Sequence, residues 1–141
     1  MGLLVGGIIP AVLLGLFGVL QKAANNAGIG TGSYLIFTGI TVSLVGVAVY
    51  FLFPDKTISG KAALFTCAAA LLWAVSMLLI QLALGHYSIE ISRLVPLFNM
   101  NTLVAVVLGL VIFAEWNSLN LPTLLMGALC ITIGGVLVAS S

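Results

Sequence analysis

The sequence predicts an all-α integral membrane protein: five transmembrane helices forming a single domain over residues 1–141. Three observations lead there: a composition too apolar for water, five stretches long enough to span a bilayer, and apolarity that runs continuously rather than alternating. Of 141 residues, 62% are hydrophobic and only 5% charged, against roughly a quarter charged in ordinary soluble domains. A soluble chain of this kind has too little polar surface to cover itself, whereas lipid requires an apolar exterior. Alternation would favour a β-barrel, and these runs do not alternate. The net charge is +1 with no basic cluster, so membrane lipid is the expected partner and nucleic acid is not.

A hydrocarbon core of about 30 Å needs about 20 apolar residues in helix. Five stretches meet that length: residues 3–21, 34–53, 62–84, 94–114 and 121–139. The first has no basic segment ahead of it, so it reads as a retained span rather than a signal peptide. It carries Pro10 in its interior, where a missing N–H predicts a kink near mid-depth. The second follows a break at Asn25-Asn26-Ala27-Gly28 and Gly30-Thr31-Gly32, and ends before Pro54-Asp55-Lys56. The third ends at Gly85-His86-Tyr87, and the fourth begins near Pro96. The fifth follows a break at Asn117 to Asn120, with Pro122 suited to the first helical position, where no N–H is required. Cys67 and Cys130 fall inside apolar runs and read as small hydrophobes rather than a disulfide.

Five spans put the termini on opposite faces. Lys56 and Lys61 then share the N-terminal face, while Lys22 and Arg93 share the other. Loop lysines and arginines normally set orientation, and here they divide two against two. Chance explains the tie; so does dual topology, in which the chain inserts both ways and pairs antiparallel.

Polar groups inside a membrane are expensive, so their placement is informative. Gln21, Lys22, Thr38, Gln81, Arg93, Asn99 and Asn101 all lie toward one face, which suggests a polar cavity opening there. Lys22 and Arg93 also suit simple snorkelling to headgroups. In the third span Trp73, Ser76, Met77, Ile80, Gln81 and Leu84 follow the spacing of one helix face. A mid-depth indole and a carboxamide on that stripe should face protein or a cavity, and such a lining suits an organic solute; helix packing accounts for the stripe as well. The candidate pathway is therefore Lys22, Trp73, Gln81 and Asn99, supported by Thr38 and Ser76. Lys22 would bind an anionic group if it faces inward. Asn99 and Asn101 lie about 200° apart on a helix and cannot both face one lumen. No carboxylate lies deep in a span, His86 sits at a boundary, and neither a metal cluster nor a nucleophile triad is present. No catalysis, metal or cofactor is expected.

With the spans placed, residues 62–139 resemble the repeat unit of the EamA-type drug/metabolite transporters. The resemblance rests on Leu72-Trp73-Ala74, the short turn at Gly85, Pro96 early in the fourth span, Glu115 at its end, and the small-residue run Gly127-Ala128-Leu129-Cys130-Ile131-Thr132-Ile133-Gly134-Gly135-Val136. Gly18 and Lys22 match more loosely. Typical members carry two such repeats of opposite orientation, whereas this chain holds one, as the short bacterial and archaeal members do. The resemblance implies a transporter of small organic solutes in a prokaryotic inner membrane, completed by an antiparallel homodimer. Small multidrug resistance proteins carry a similar glycine spacing at their dimer contact, which assigns Gly127, Cys130 and Gly134 to a subunit interface; an intramolecular helix contact is the alternative. The chain departs from those proteins in lacking a glutamate in its first span, so proton-driven export of cations is not implied. Pro10, Pro96 and Glu115 are read as structural, with Glu115 fixing a loop or helix end. A non-transporting subunit of a larger complex and a lipid-handling protein stand as rival readings.

Overall fold

A computed structural model describes residues 1–117 and 120–141. Among these every regular element is helical: a π-turn at Leu4–Ile8, α1 (Ile9–Asn26), α2 (Thr31–Leu52), α3 (Gly60–Gly85), α4 (Ile91–Phe98), α5 (Asn101–Phe113), a 3-10 turn at Glu115–Asn117, and α6 (Leu121–Ser140). They make five candidate spans, Leu4–Asn26, Thr31–Leu52, Gly60–Gly85, Ile91–Phe113 and Leu121–Ser140, long and apolar enough to cross a membrane. The chain is thus all-α and fits a multi-pass membrane protein. It divides into two compact units, Met1–Ser88 and Ile89–Ser141.

In the first unit, the disturbance expected at Pro10 takes the form of a π-turn just before it. The Ile9 N–H reaches back five residues to the Leu4 carbonyl. Proline's ring clashes with the carbonyl four residues earlier, here Gly6, and a wider turn relieves that clash. The first span then runs past its expected end at Gln21 to Asn26, because Gln21-Lys22-Ala23-Ala24 are good helix formers that can leave the apolar core without breaking the helix. Gly28, at φ +90°, stops it. The Gly28 N–H donates to Asn25 O at 2.9 Å and the Ile29 N–H to Ala24 O at 3.3 Å, the paired bonds of a Schellman end that require a left-handed residue. At the other face, Phe53 is extended at φ −105°, ψ 140°, as the residue before a proline must be. The buried residues of this unit are Gly18, Gln21, Tyr34, Ile80, Gln81 and Leu84. All belong to the C-terminal halves of α1 and α3 or the first turn of α2, so the unit is knit together at one end.

In the second unit, the fourth span is not the single helix expected over 94–114. It is two helices, α4 and α5, joined at Asn99 and Met100. Pro96 removes one N–H from the ladder, and the chain tightens behind it: the Met100 N–H donates to Leu97 O, three residues back, at 3.2 Å, and Thr102 and Leu103 repeat that shorter step. The Pro96 carbonyl thereby leaves the helical ladder and meets α6 at Gly135, where an added Cβ would stand 2.7 Å from it. Ala114, left-handed at φ 53°, ends α5. The Asn120 side chain accepts from the Thr123 N–H to cap α6, and Pro122 is its second residue rather than its first. Ser118 and Leu119, within the break expected at Asn117 to Asn120, lie outside the described residues.

Candidate functional site

The site begins with two glutamines. Gln21 stands on the fourth turn of α1 and Gln81 near the end of α3, and the Gln21 Nε2 donates to the Gln81 Oε1 at 3.3 Å. Both are buried, at 3% and 1% exposure. An unpaired carboxamide in a membrane interior is costly, so this bond fixes which faces of α1 and α3 meet. It lies where the helices pack most tightly: Asn25 on the next turn of α1 would touch a Cβ placed on Gly85 at 3.2 Å.

Beside this bridge an open groove of about 500 Å³ runs between α1 and α2. Phe17, Leu20, Gln21 and Ala24 form the α1 wall; Tyr34, Phe37, Thr38, Thr41 and Val42 form the α2 wall; Ile29 and Trp73 complete it. Its polarity is graded. Gln21, Tyr34 and Thr38 lie toward the end where α2 begins, while Phe17, Val42 and the Trp73 indole lie deeper along the spans. Tyr34 is buried and hydrogen-bonded to the Thr38 side chain one turn on. Thr41 contributes little polarity, since its hydroxyl donates to the Phe37 carbonyl at 2.8 Å. Among the described residues no buried side-chain nitrogen or oxygen lacks a partner. Gln21 and the Tyr34–Thr38 pair thus supply the polar part of the groove lining.

Of the residues chosen from sequence, Trp73 and Thr38 line this groove, and Gln81 stands behind its wall, bonded to Gln21. Lys22 is half-buried and engaged, but does not line it. Ser76 is exposed, its hydroxyl donating to the Leu72 carbonyl at 2.8 Å. Asn99 belongs to the second unit, exposed at the α4–α5 break. In that unit Arg93 caps the last turn of α6, with Nε and Nη2 both donating to Ala139 O at 3.3 and 3.0 Å; a cation suits the negative end of a helix. A Cβ placed on Gly109 would stand 3.3 Å from the Glu115 Oε2, so that carboxylate folds back along α5. Gly127 and Gly134 face open space, and Cys130 and Cys67 are exposed thiols. Among the described residues no group of histidine, cysteine or carboxylate side chains could hold a metal ion.

The groove residues missing from the sequence-derived pathway are Gln21 above all, with Phe17, Leu20, Ala24, Ile29, Tyr34, Phe37, Thr41 and Val42. A signal was present: Tyr34, Thr38 and Thr41 stand at the first, fifth and eighth positions of one helix face. Three hydroxyls aligned on one face of an apolar span are the same kind of sign that drew attention to Trp73 and Gln81.

Comparison with protein-family models, curated proteins and solved structures finds no match in any of the three.

Proposed function

We propose that this protein is one half of a membrane transporter for a small organic solute, of the drug/metabolite type, completed by a second copy in antiparallel orientation. The observation that carries this reading is the groove beside the buried Gln21–Gln81 bridge, where aromatic walls and neutral hydrogen-bonding groups lie together within helices long enough to span a bilayer. Such a mixture suits recognition of an organic molecule. Two further features support it. The fourth span is broken near its middle beside Asn99, and interrupted helices are how many transporters bring polar backbone to mid-membrane depth. Gly127, Cys130 and Gly134 lie along an open face of α6, where small residues permit close approach of another helix.

The groove is open, which favours a lipid-handling protein as the second reading. Purified protein in liposomes loaded with a mixed extract of amino acids, nucleosides and aromatic metabolites separates the two. Transport predicts selective loss of some solutes relative to empty liposomes, with the loss abolished in Trp73→Ala. Unchanged contents, together with accelerated exchange of a labelled phospholipid between leaflets, would replace the transporter reading with the lipid one.

A further inference from the structure

The groove between α1 and α2 carries a chemical bias that narrows its occupant. None of its lining residues is charged: the polar ones are Gln21, Tyr34, Thr38 and Thr41. An ion placed there would give up its hydration for neutral dipoles and aromatic carbon, a penalty that only a paired countercharge offsets. With Thr41 bonded to its own helix, the remaining polar groups sit at one end and the apolar body of the groove extends from them toward Trp73.

The groove is too short to enclose a two-tailed lipid. The α1 wall from Phe17 to Ala24 is about 10 Å long and the α2 wall from Tyr34 to Val42 about 12 Å, at 1.5 Å per residue. Half the hydrocarbon core is about 15 Å deep, so lipid tails would overrun the groove while a compact ring system would not.

The geometry points to a compact, uncharged amphiphile as the occupant: an aromatic or otherwise apolar body against Phe17, Phe37 and Trp73, with one neutral hydrogen-bonding end at Gln21 and Tyr34–Thr38. This rests on the groove being the solute pathway. The Gln21 carbonyl accepts a hydroxyl or amide N–H from that end, and the Tyr34 and Thr38 hydroxyls complete its hydrogen bonding.

Trp73 supplies a reporter, because the chain has two tryptophans and Trp116→Phe leaves only this one. In lipid nanodiscs, its emission is titrated with three bromine-bearing quenchers of matched size: 4-bromobenzyl alcohol, 4-bromobenzoate and 4-bromobenzylammonium. The Trp73→Phe protein, reporting Trp116, controls for quencher dissolved in the bilayer. Saturable quenching of Trp73 by the alcohol is expected, at a half-quenching concentration at least tenfold below either ion, with the control linear. Gln21→Leu should raise that concentration five- to tenfold. Thr38→Val, nearly isosteric and outside the glutamine bridge, should raise it two- to fivefold, which keeps the test open if Gln21→Leu fails to fold. Equal or tighter saturable quenching by the carboxylate or the ammonium would overturn the inference, as would quenching by the alcohol that never saturates. Because binding is read without flux, saturable quenching in a protein that moves no solute would overturn the transporter reading and leave the ligand class standing.

Discussion

At the scale of single residues, the Gln21–Gln81 bond matters more for what its loss exposes than for its own strength. At 3.3 Å it is at the long end of N–H···O geometry, and side-chain hydrogen bonds between membrane helices average only about 0.6 kcal/mol. Removing one partner strands a carboxamide that is almost fully buried, which costs about 1–3 kcal/mol. Gln21→Leu and Gln81→Leu should therefore each lower unfolding free energy in mixed micelles by about 1–2 kcal/mol. The double substitution should cost less than the sum by about 1 kcal/mol; strict additivity would show that the two amides do not depend on one another. Asp55, in the exposed turn after α2, offers a separate measurement. The Thr57 hydroxyl at 2.9 Å and then the Thr57 N–H at 3.2 Å donate to its Oδ1 and hold its carboxyl below the ordinary 3.8. A folded pKa below the unfolded one means that this turn contributes stability above the unfolded value and loses it as pH falls through the folded one. NMR titration should place Asp55 below 3.8 and Thr57→Val should raise it toward that value; no change would remove the hydroxyl as the cause. Residue-level chemistry was only partly legible in the sequence. Trp73 and Gln81 stand out because indole and carboxamide are rare at that depth. Ser76 shares their stripe, yet a serine in a helix can satisfy itself on the carbonyl four residues back, as Ser76 does on Leu72, so its spacing carries less information.

At the scale of elements, the helices follow from length and apolarity, and their irregularities follow from two prolines. Pro10 and Pro96 give different outcomes because their neighbours differ. Ahead of Pro10 lie Gly6 and Gly7, which let the backbone widen into a π-turn and continue. Behind Pro96 the chain tightens instead, breaks at Asn99-Met100, and turns a carbonyl toward Gly135. Pro96 alone does not predict that break within the run from Leu94 to Ala114, since a proline in a membrane helix is often absorbed by its surroundings. The partner residue is equally hard to pick from sequence, because Gly134 and Gly135 are adjacent and only one is at the crossing. Gly135 has the Pro96 carbonyl 2.7 Å from an added Cβ, whereas Gly134 has nothing within 4 Å. Gly135→Ala should force α4 and α6 apart and destabilise the protein by about 1–3 kcal/mol. Within one chain Gly134→Ala adds the same methyl to open space, so in the detergent-dispersed monomer it should be neutral or stabilise by up to about 1 kcal/mol through helix propensity. Denaturation midpoints of the two variants in one detergent decide this; equal effects would mean that the α4–α6 crossing does not pass through Gly135.

At the scale of the whole molecule, the spans keep most of their apolar surface outward. In the most apolar stretch of any of the five, no more than 11% of residues are buried within the chain. Lipid covers such surface without difficulty, so exposure alone does not demand a partner; what it removes is a sealed pathway enclosed by one chain. A groove that stays open in a single copy needs a second element to close it if solute is to cross without leaking, and the sequence suggests where that element comes from. Lys56 and Lys61 oppose Lys22 and Arg93 across the span order, leaving no positive excess to select one orientation. The four cations are not equally free to vote: Arg93 is held on the Ala139 carbonyl and lies near Glu90 at 3.8 Å, while the Lys56 ammonium sits 4.9 Å from the Tyr50 ring centre. Local contacts engage cations on both faces without removing their charge, so the count stays two against two. A cysteine at Ser141, with Cys67 and Cys130 replaced by serine or alanine, reads the outcome in intact cells through an impermeant maleimide. Labelling of about half the molecules is expected. The sharper form is a single added pair: Ser140→Lys with a lysine appended after the reporter should shift labelling strongly toward none, because the C-terminal face then carries the positive excess and is retained in the cytoplasm. Labelling of all or none in the parent chain, indifferent to that added charge, would fix one orientation and require the closing element to be a different protein.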